Sequence, residues 1–168
     1  EDFARSHPAG SLGRKLSKVD HHLRALAKCR VASEEKTVRQ IFVDLSVPGR
    51  RTGAIMLVDG EGKLSGIFTD SDLARLFEHR REHALDQPIR EVMTARPVTV
   101  RLGTKMIDAV AAMAQRKISE LPVVDAEGRP VGLIDVTDVV GMFPEIDELA
   151  SERPSEPEVR SLRGPRAA

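Results

Sequence analysis

One stretch of the chain is written twice. "GIFTDSDLARLF" at 66–77 returns as "GLIDVTDVVGMF" at 132–143, so that Gly66 matches Gly132, Asp72 matches Asp138 and Phe77 matches Phe143, all at one constant offset. The register extends upstream, where "AIMLVDGEGKLSGIFTDSD" lies over "LPVVDAEGRPVGLIDVTD" and Asp59 over Asp125. Farther back, "TVRQIFVDL" at 37–45 resembles "KMIDAVAAM" at 105–113, with the offset slightly longer. The extra length falls in the loop that holds Pro48 and Gly49, where insertion costs little. An internal repeat constrains architecture more strongly than local propensity does. Two copies predict a pseudo-twofold pair rather than a solenoid.

Each copy carries the same elements. Ile41, Phe42 and Leu45 recur at helical spacing, as do Ile107, Val110, Ala111 and Ala114. The short aliphatic runs at 54–58 and 121–124 have the character of buried strands. "DGEG" at 59–62 and "DAEG" at 125–128 are acid-and-glycine turns that join each strand to the next. A further strand is expected over "PVTV" at 97–100, with Pro97 first, where a missing N–H does least harm. Its counterpart lies near Arg30–Ala32. The unit is β-α-β-β-α, twice, an α+β fold whose halves (17–84 and 85–147) are each too small to be comfortable alone. Residues 148–168 are rich in charge, Pro, Ser and Ala, and read as a flexible tail.

Composition removes several classes of function. Lys plus Arg equals Asp plus Glu at 26 each, so no basic field invites nucleic acid or an anionic membrane. Aromatics are 3% with no Trp or Tyr, which leaves an aliphatic core and almost no base-stacking platform. The lone Cys29 excludes an intrachain disulfide framework and a multi-Cys zinc site. No apolar run approaches the roughly 18–20 residues of a membrane helix, and no signal peptide is visible, so a cytoplasmic location is expected. His21 and His22 are neighbours that do not share a helix face, and no metal site is expected.

Residues 17–145 resemble a tandem pair of cystathionine-β-synthase (CBS) domains, a Bateman module. The resemblance is carried by "IREVMTARPVTV" at 89–100, "ISELPVVD" at 118–125 and the two G-h-x-[TD]-x-x-D segments, h being apolar. The first copy departs at its entry, where "KVDHHLRALAKCRVAS" replaces the V-M-T-x-x-P wording. The opening "EDFARSHPAGSLGRKL", residues 1–16, is similar to the end of the sugar isomerase (SIS) domain of arabinose-5-phosphate isomerases, which runs directly into a CBS pair. The resemblance implies a parent enzyme that interconverts D-arabinose 5-phosphate and D-ribulose 5-phosphate on the route to Kdo and lipopolysaccharide. It also implies a catalytic histidine at His7 and a tetrameric parent. A histidine suits aldose–ketose proton transfer because its pKa lies near neutrality. The chain holds no complete acid, base and phosphate cradle, so it is expected to be a regulatory fragment rather than an enzyme.

The acidic turns are the candidate ligand sites. A carboxylate can accept a hydrogen bond from each ribose hydroxyl, and a helix N-terminus offers N–H groups to a phosphate. In the first copy Thr69 and Ser71 are expected near the phosphate and Asp72 at the ribose, the role the family pattern implies for that Asp. Such modules hold the base against the start of the preceding strand, here Thr52, Gly53 and Ala54, with Arg50 and Arg51 adding charge. In the second copy Asp138 can hold a ribose, with Thr137 and Ser119 nearby. Asp135, standing where Thr69 stands, repels a phosphate and makes the Asp72 site the better one. The same residues are also ordinary N-caps that need no ligand. The implied ligands are adenine nucleotides (AMP or ATP) or the feedback product CMP-Kdo. The competing function is a ligand-free dimerisation module. Leu73, Leu76, Phe77, Val139, Val140 and Phe143 are expected to form an exposed apolar patch that makes a homodimer.

Overall fold

The two hairpin turns show how closely the copies correspond. The Asp59 carboxylate accepts the amides of Glu61 and Lys63 at 2.9 and 3.0 Å. Asp125 does the same for Glu127 and Arg129 at 3.0 and 2.8 Å. Gly62 and Gly128 then take left-handed φ values of 77° and 83°, which a side chain would resist. A register shift accompanies each turn at the same place, Leu57/Val58 in one hairpin and Val123/Val124 in the other.

The structure, a computed structural model, describes residues 16–45 and 53–140. Along the chain these form β1 (Arg24–Ala25), β2 (Arg30–Ser33), α1 (Val38–Asp44), β3 (Ala54–Val58), β4 (Leu64–Thr69) and α2 (Asp70–Glu78). There follow β5 (Thr94–Ala95), β6 (Val100–Arg101), α3 (Met106–Arg116), β7 (Glu120–Val124), β8 (Pro130–Asp135) and α4 (Val136–Val140). The expected β-α-β-β-α unit is present twice, as β2-α1-β3-β4-α2 and β6-α3-β7-β8-α4. The strand expected over 97–100 begins only at Val100. Pro97 has no N–H to contribute to a ladder, and 97–99 form no strand.

The two sheets have the orders β2-β3-β4-β5 and β1-β8-β7-β6. Each is therefore finished by a strand from outside its own unit. β5 precedes the second unit but pairs with β4 of the first, and β1 precedes the first unit but pairs with β8 of the second. The short 3-10 turns ahead of these strands cross over as well. Val19, in the turn Val19–His21, is fully buried in the core of the second half with Met106, Leu121, Val123 and Ile134. Ile89, in the turn Ile89–Glu91, is fully buried in the first core with Val38, Ile41, Ile55, Leu57 and Phe68. Two small cores are thus tied by exchanged arms, which gives each half buried apolar surface it could not supply itself.

The repeated glycines mark where those arms cross. A Cβ on Gly66 would lie 2.2 Å from Met93 Sδ, and one on Gly132 would lie 2.3 Å from the Arg24 carbonyl oxygen. Met93 and Arg24 belong to the two crossing arms, so the repeated glycines are required by close approach rather than by φ.

The second helices expose less than the sequence suggests. Leu76 and Val139 are 5% and 7% exposed and belong to the two cores, and Leu73 packs against the first. Phe77 and Val140 remain at the surface, while Phe143 lies outside the described residues, as do residues 1–15 and 141–168. Leu76, Leu73 and Phe77 lie along one stripe of α2, buried at its Leu76 edge and reaching solvent at Phe77.

Candidate functional site

Thr69 ends β4 and caps α2. Its hydroxyl accepts the Asp72 amide at 3.2 Å, while Asp72 Oδ2 accepts both the Thr69 amide and the Thr69 hydroxyl at 2.8 Å. This is a complete capping box, the local outcome of a Thr followed three residues later by an acid. Asp72 Oδ1 takes Arg75 Nη1 at 2.9 Å from the next turn of the helix. The Thr69 hydroxyl and Oδ2 are therefore committed to the cap rather than to phosphate and ribose, and Oδ1 is the oxygen left for a ligand. A carboxylate oxygen has a second lone pair, so Oδ1 can accept a hydroxyl beside the exposed Arg75.

This turn opens onto a cavity of about 340 Å³ between the two halves. Ile67, Pro97, Val98, Ile118 and Pro122 make its apolar side. Thr69, Ser71, Asp72, Arg75, Thr94, Lys117, Ser119 and Glu120 make its polar side. One wall comes from β4 and α2, the opposite wall from the end of α3 and β7, and the linker supplies Thr94, Pro97 and Val98. An apolar slot beside two carboxylates, Asp72 and Glu120, and two cations, Arg75 and Lys117, suits a flat ring joined to a hydroxylated group that carries an anion.

Among the residues singled out in the sequence, Thr69, Ser71, Asp72 and Ser119 are brought together here. The sequence groups Ser119 with Asp138. In the structure Ser119 lines the cavity of the first turn, while its carbonyl accepts the Val136 amide at 2.8 Å. Gly53 and Ala54 lie outside the cavity lining. The Gly53 carbonyl accepts the Asp70 amide at 3.0 Å, the counterpart of the Ser119–Val136 bond, and its Cα faces Glu120. Thr52, Arg50, Arg51 and His7 fall outside the described residues.

Thr137 and Asp138 lie at the second turn with Asp135 and Arg24. Asp135 Oδ1 accepts the Thr137 amide at 2.8 Å and the Thr137 hydroxyl at 2.6 Å, replacing the Thr–Asp capping box of the first copy. The repulsion expected at Asp135 is met within the chain, because Arg24 Nη1 stands 3.3 Å from its other oxygen. His21 and His22 lie edge to face with centroids 6.5 Å apart, and His22 Nε2 is 2.7 Å from Ser17 Oγ. Among the described residues no group of three or more His, Cys, Asp or Glu is placed to hold a metal ion. None of the helices described is long and apolar enough to cross a membrane.

Sequence reasoning missed Glu120, Lys117 and Arg75. Arg75 was open to detection at i+3 from Asp72. Lys117 and Glu120 lie beside Ser119 within or next to "ISELPVVD" and needed only the knowledge of which turn that segment faces. Burial, then the nearby Asp135 and Asp70, pushes the Glu120 carboxyl above its usual value of 4.5. A raised acid is penalised in the folded state once ionised. The stability it contributes is intact below its unfolded value and is lost as pH rises through the higher folded one. Glu120→Gln is therefore expected to exceed the parent in stability at pH 7, with the advantage disappearing near pH 4. Urea midpoints at the two pH values measure this, and an equal difference at both would refute it.

Comparisons with known proteins converge on this architecture. The CBS domain family model matches residues 28–79 and 89–145. Arabinose 5-phosphate isomerase GutQ of Shigella flexneri is 37% identical over 139 residues, covering 82% of this chain and 42% of the isomerase. Arabinose 5-phosphate isomerase KdsD of Pseudomonas aeruginosa is 36% identical over 151 residues, 83% of this chain and 42% of its own length. The chain thus spans less than half of the curated relatives it matches. Among solved structures, the cytosolic domain of the Mg2+ channel MgtE in complex with ATP is 27% identical with a TM-score of 0.64, over 78% of this chain and 51% of that one. CBSX2 in complex with AMP has a TM-score of 0.62 at 24% identity, over 77% of this chain and 98% of that one.

Proposed function

Because the chain belongs to the CBS-domain family, we propose that it is a regulatory module whose Asp72 cavity senses an adenine nucleotide or a sugar nucleotide such as CMP-Kdo. The observation that carries this reading is the capped turn of Thr69 and Asp72 opening on a cavity of about 340 Å³, with Ser119 and Glu120 from the other half opposite. The apolar side takes the base, Asp72 Oδ1 takes a ribose hydroxyl, and Arg75 and Lys117 take phosphate. The ATP in the MgtE structure supports the adenine class of ligand. The 37% identity to GutQ supports a parent that is a cytoplasmic arabinose-5-phosphate isomerase serving Kdo synthesis, in which His7 acts in proton transfer and the CBS pair adjusts activity. Melting curves with AMP, ATP and CMP-Kdo test the reading. A ligand that binds only the folded chain at a hundred times its Kd adds roughly 2.7 kcal/mol of stability. A flat response to all three at millimolar concentration would sink it.

A dimerisation role is favoured by a separate observation. Val43, Phe77 and Ile107 place an exposed apolar side chain on each of the first three helices, at 68%, 50% and 46% exposure, and Val136 and Val140 place two on the fourth, at 41% and 42%. We expect a homodimer through these helices, and light scattering at tens of micromolar should give twice the 18.5 kDa chain mass. A monomer would remove this assembly.

A further inference from the structure

The second acidic turn already has an occupant. Arg24 Nε stands 2.8 Å from Asp138 Oδ2, and Nη2 donates to Asp138 Oδ1 and to the Thr137 hydroxyl, each at 3.1 Å. Nη1 lies 3.3 Å from Asp135 Oδ2. The guanidinium, at 19% side-chain exposure, is hydrogen-bonded to Asp138 Oδ1 and Thr137 and ion-paired with Asp138 Oδ2 and Asp135. The corresponding carboxylate of the first copy, Asp72, is held by its own helix through the exposed Arg75.

The origin of Arg24 gives this contact its meaning. Arg24 opens β1 and pairs with Leu133, while Thr94 opens β5 and pairs with Ile67. Leu133 and Ile67 are counterparts in the internal repeat, so Arg24 and Thr94 occupy the same place on the two crossing arms. Thr94 and Ile67 both line the cavity of the first turn. At the matching wall position of the second turn, the chain has a long cation in place of a short hydroxyl.

We propose that Arg24 is a built-in occupant of the second site, so that the module binds one ligand per chain, at Asp72, and a second site opens only when Arg24 is removed. The chemistry of the ligand rests on the reading of the Asp72 cavity given above. A guanidinium standing against both Asp138 oxygens and the Thr137 hydroxyl occupies the approach that a ribose would take. With Arg24 gone, Asp135 and Asp138 lose the cation they share. They disfavour phosphate, so the opened site prefers a neutral nucleoside to its monophosphate.

Calorimetry with adenosine and with AMP on the full chain, Arg24→Thr and Arg24→Lys tests this. Threonine at the equivalent position already supports β5, so Arg24→Thr is compatible with the strand it alters. The full chain should bind about one adenosine and Arg24→Thr about two, with AMP weaker than adenosine at the added site, while Arg24→Lys stays at about one. Equal adenosine counts in the full chain and Arg24→Thr, whatever the count, would overturn the proposal, as would two sites in the full chain. If the full chain binds none and Arg24→Thr gains one, the Asp72 reading fails and only Arg24 as the occupant of the second site stands. Should Arg24→Thr not fold, Asp72→Ala decides: the single adenosine site should weaken about ten- to a hundredfold, and a site of parent affinity remaining in that variant would overturn the proposal.

Discussion

Asp72→Ala is expected to lower affinity for the bound ribonucleotide by about ten- to a hundredfold, the result of losing a charge-assisted hydrogen bond of roughly 1.5–3 kcal/mol. The same change breaks the capping box of α2, because Asp72 Oδ2 is the acceptor for the Thr69 amide and hydroxyl. A cap of this kind contributes about 1 kcal/mol, so the melting temperature should fall as well. The two effects separate with Thr69→Val, which removes the cap hydroxyl and leaves the carboxylate. That variant should lose similar stability while retaining most of the affinity. It should weaken AMP and adenosine alike, since the Thr69 hydroxyl is committed to the cap and phosphate falls to Arg75 and Lys117. Parent-like affinity in Asp72→Ala would reduce the acidic turn to a helix cap.

The internal repeat made the hairpins, the second helices and the pairing of Asp72 with Asp138 legible, because turn chemistry and strand patterning act locally and recur in the same register. The exchanged arms were not legible. Val19 corresponds to Ile89, Leu23 to Met93, Arg24 to Thr94 and Ala25 to Ala95, at an offset longer than that of the hairpins, and only the alanines are identical. The strands they form are only Arg24–Ala25 and Thr94–Ala95, too short for any periodicity to show. What fixes them is burial of Val19 and Ile89 in the opposite core, a tertiary fact with no local signal. Without the arms, Ser119 falls in with Asp138 and Arg24 is overlooked. Asp135 could be seen as unfavourable to phosphate from the sequence alone, but the cation that neutralises it comes from the far end of the chain.

Those arms make the repeated glycines the sharpest test of the fold. Gly132→Ala is expected to destabilise the chain by about 1–3 kcal/mol, the usual range for forcing a methyl into filled space. Its Cβ would stand 2.3 Å from the Arg24 carbonyl oxygen and 2.5 Å from Leu23 Cδ1. A carbonyl belongs to the backbone, so relief requires β1 to move away from β8 and to loosen Val19 from the second core. Gly66→Ala meets Met93 Sδ, Cε and Cγ instead, all atoms of a flexible side chain. It should cost less, and trimming the neighbour should recover part of the loss, so Gly66→Ala/Met93→Ala is expected to be less than additive. Gly132→Ala/Leu23→Ala should recover little, because the Arg24 carbonyl remains in place. Urea unfolding of the single and double variants measures both couplings. A Gly132→Ala chain as stable as the parent would mean that the arm carrying Arg24 does not cross the second hairpin at all. The pairing of Arg24 with Asp138 would fall with it.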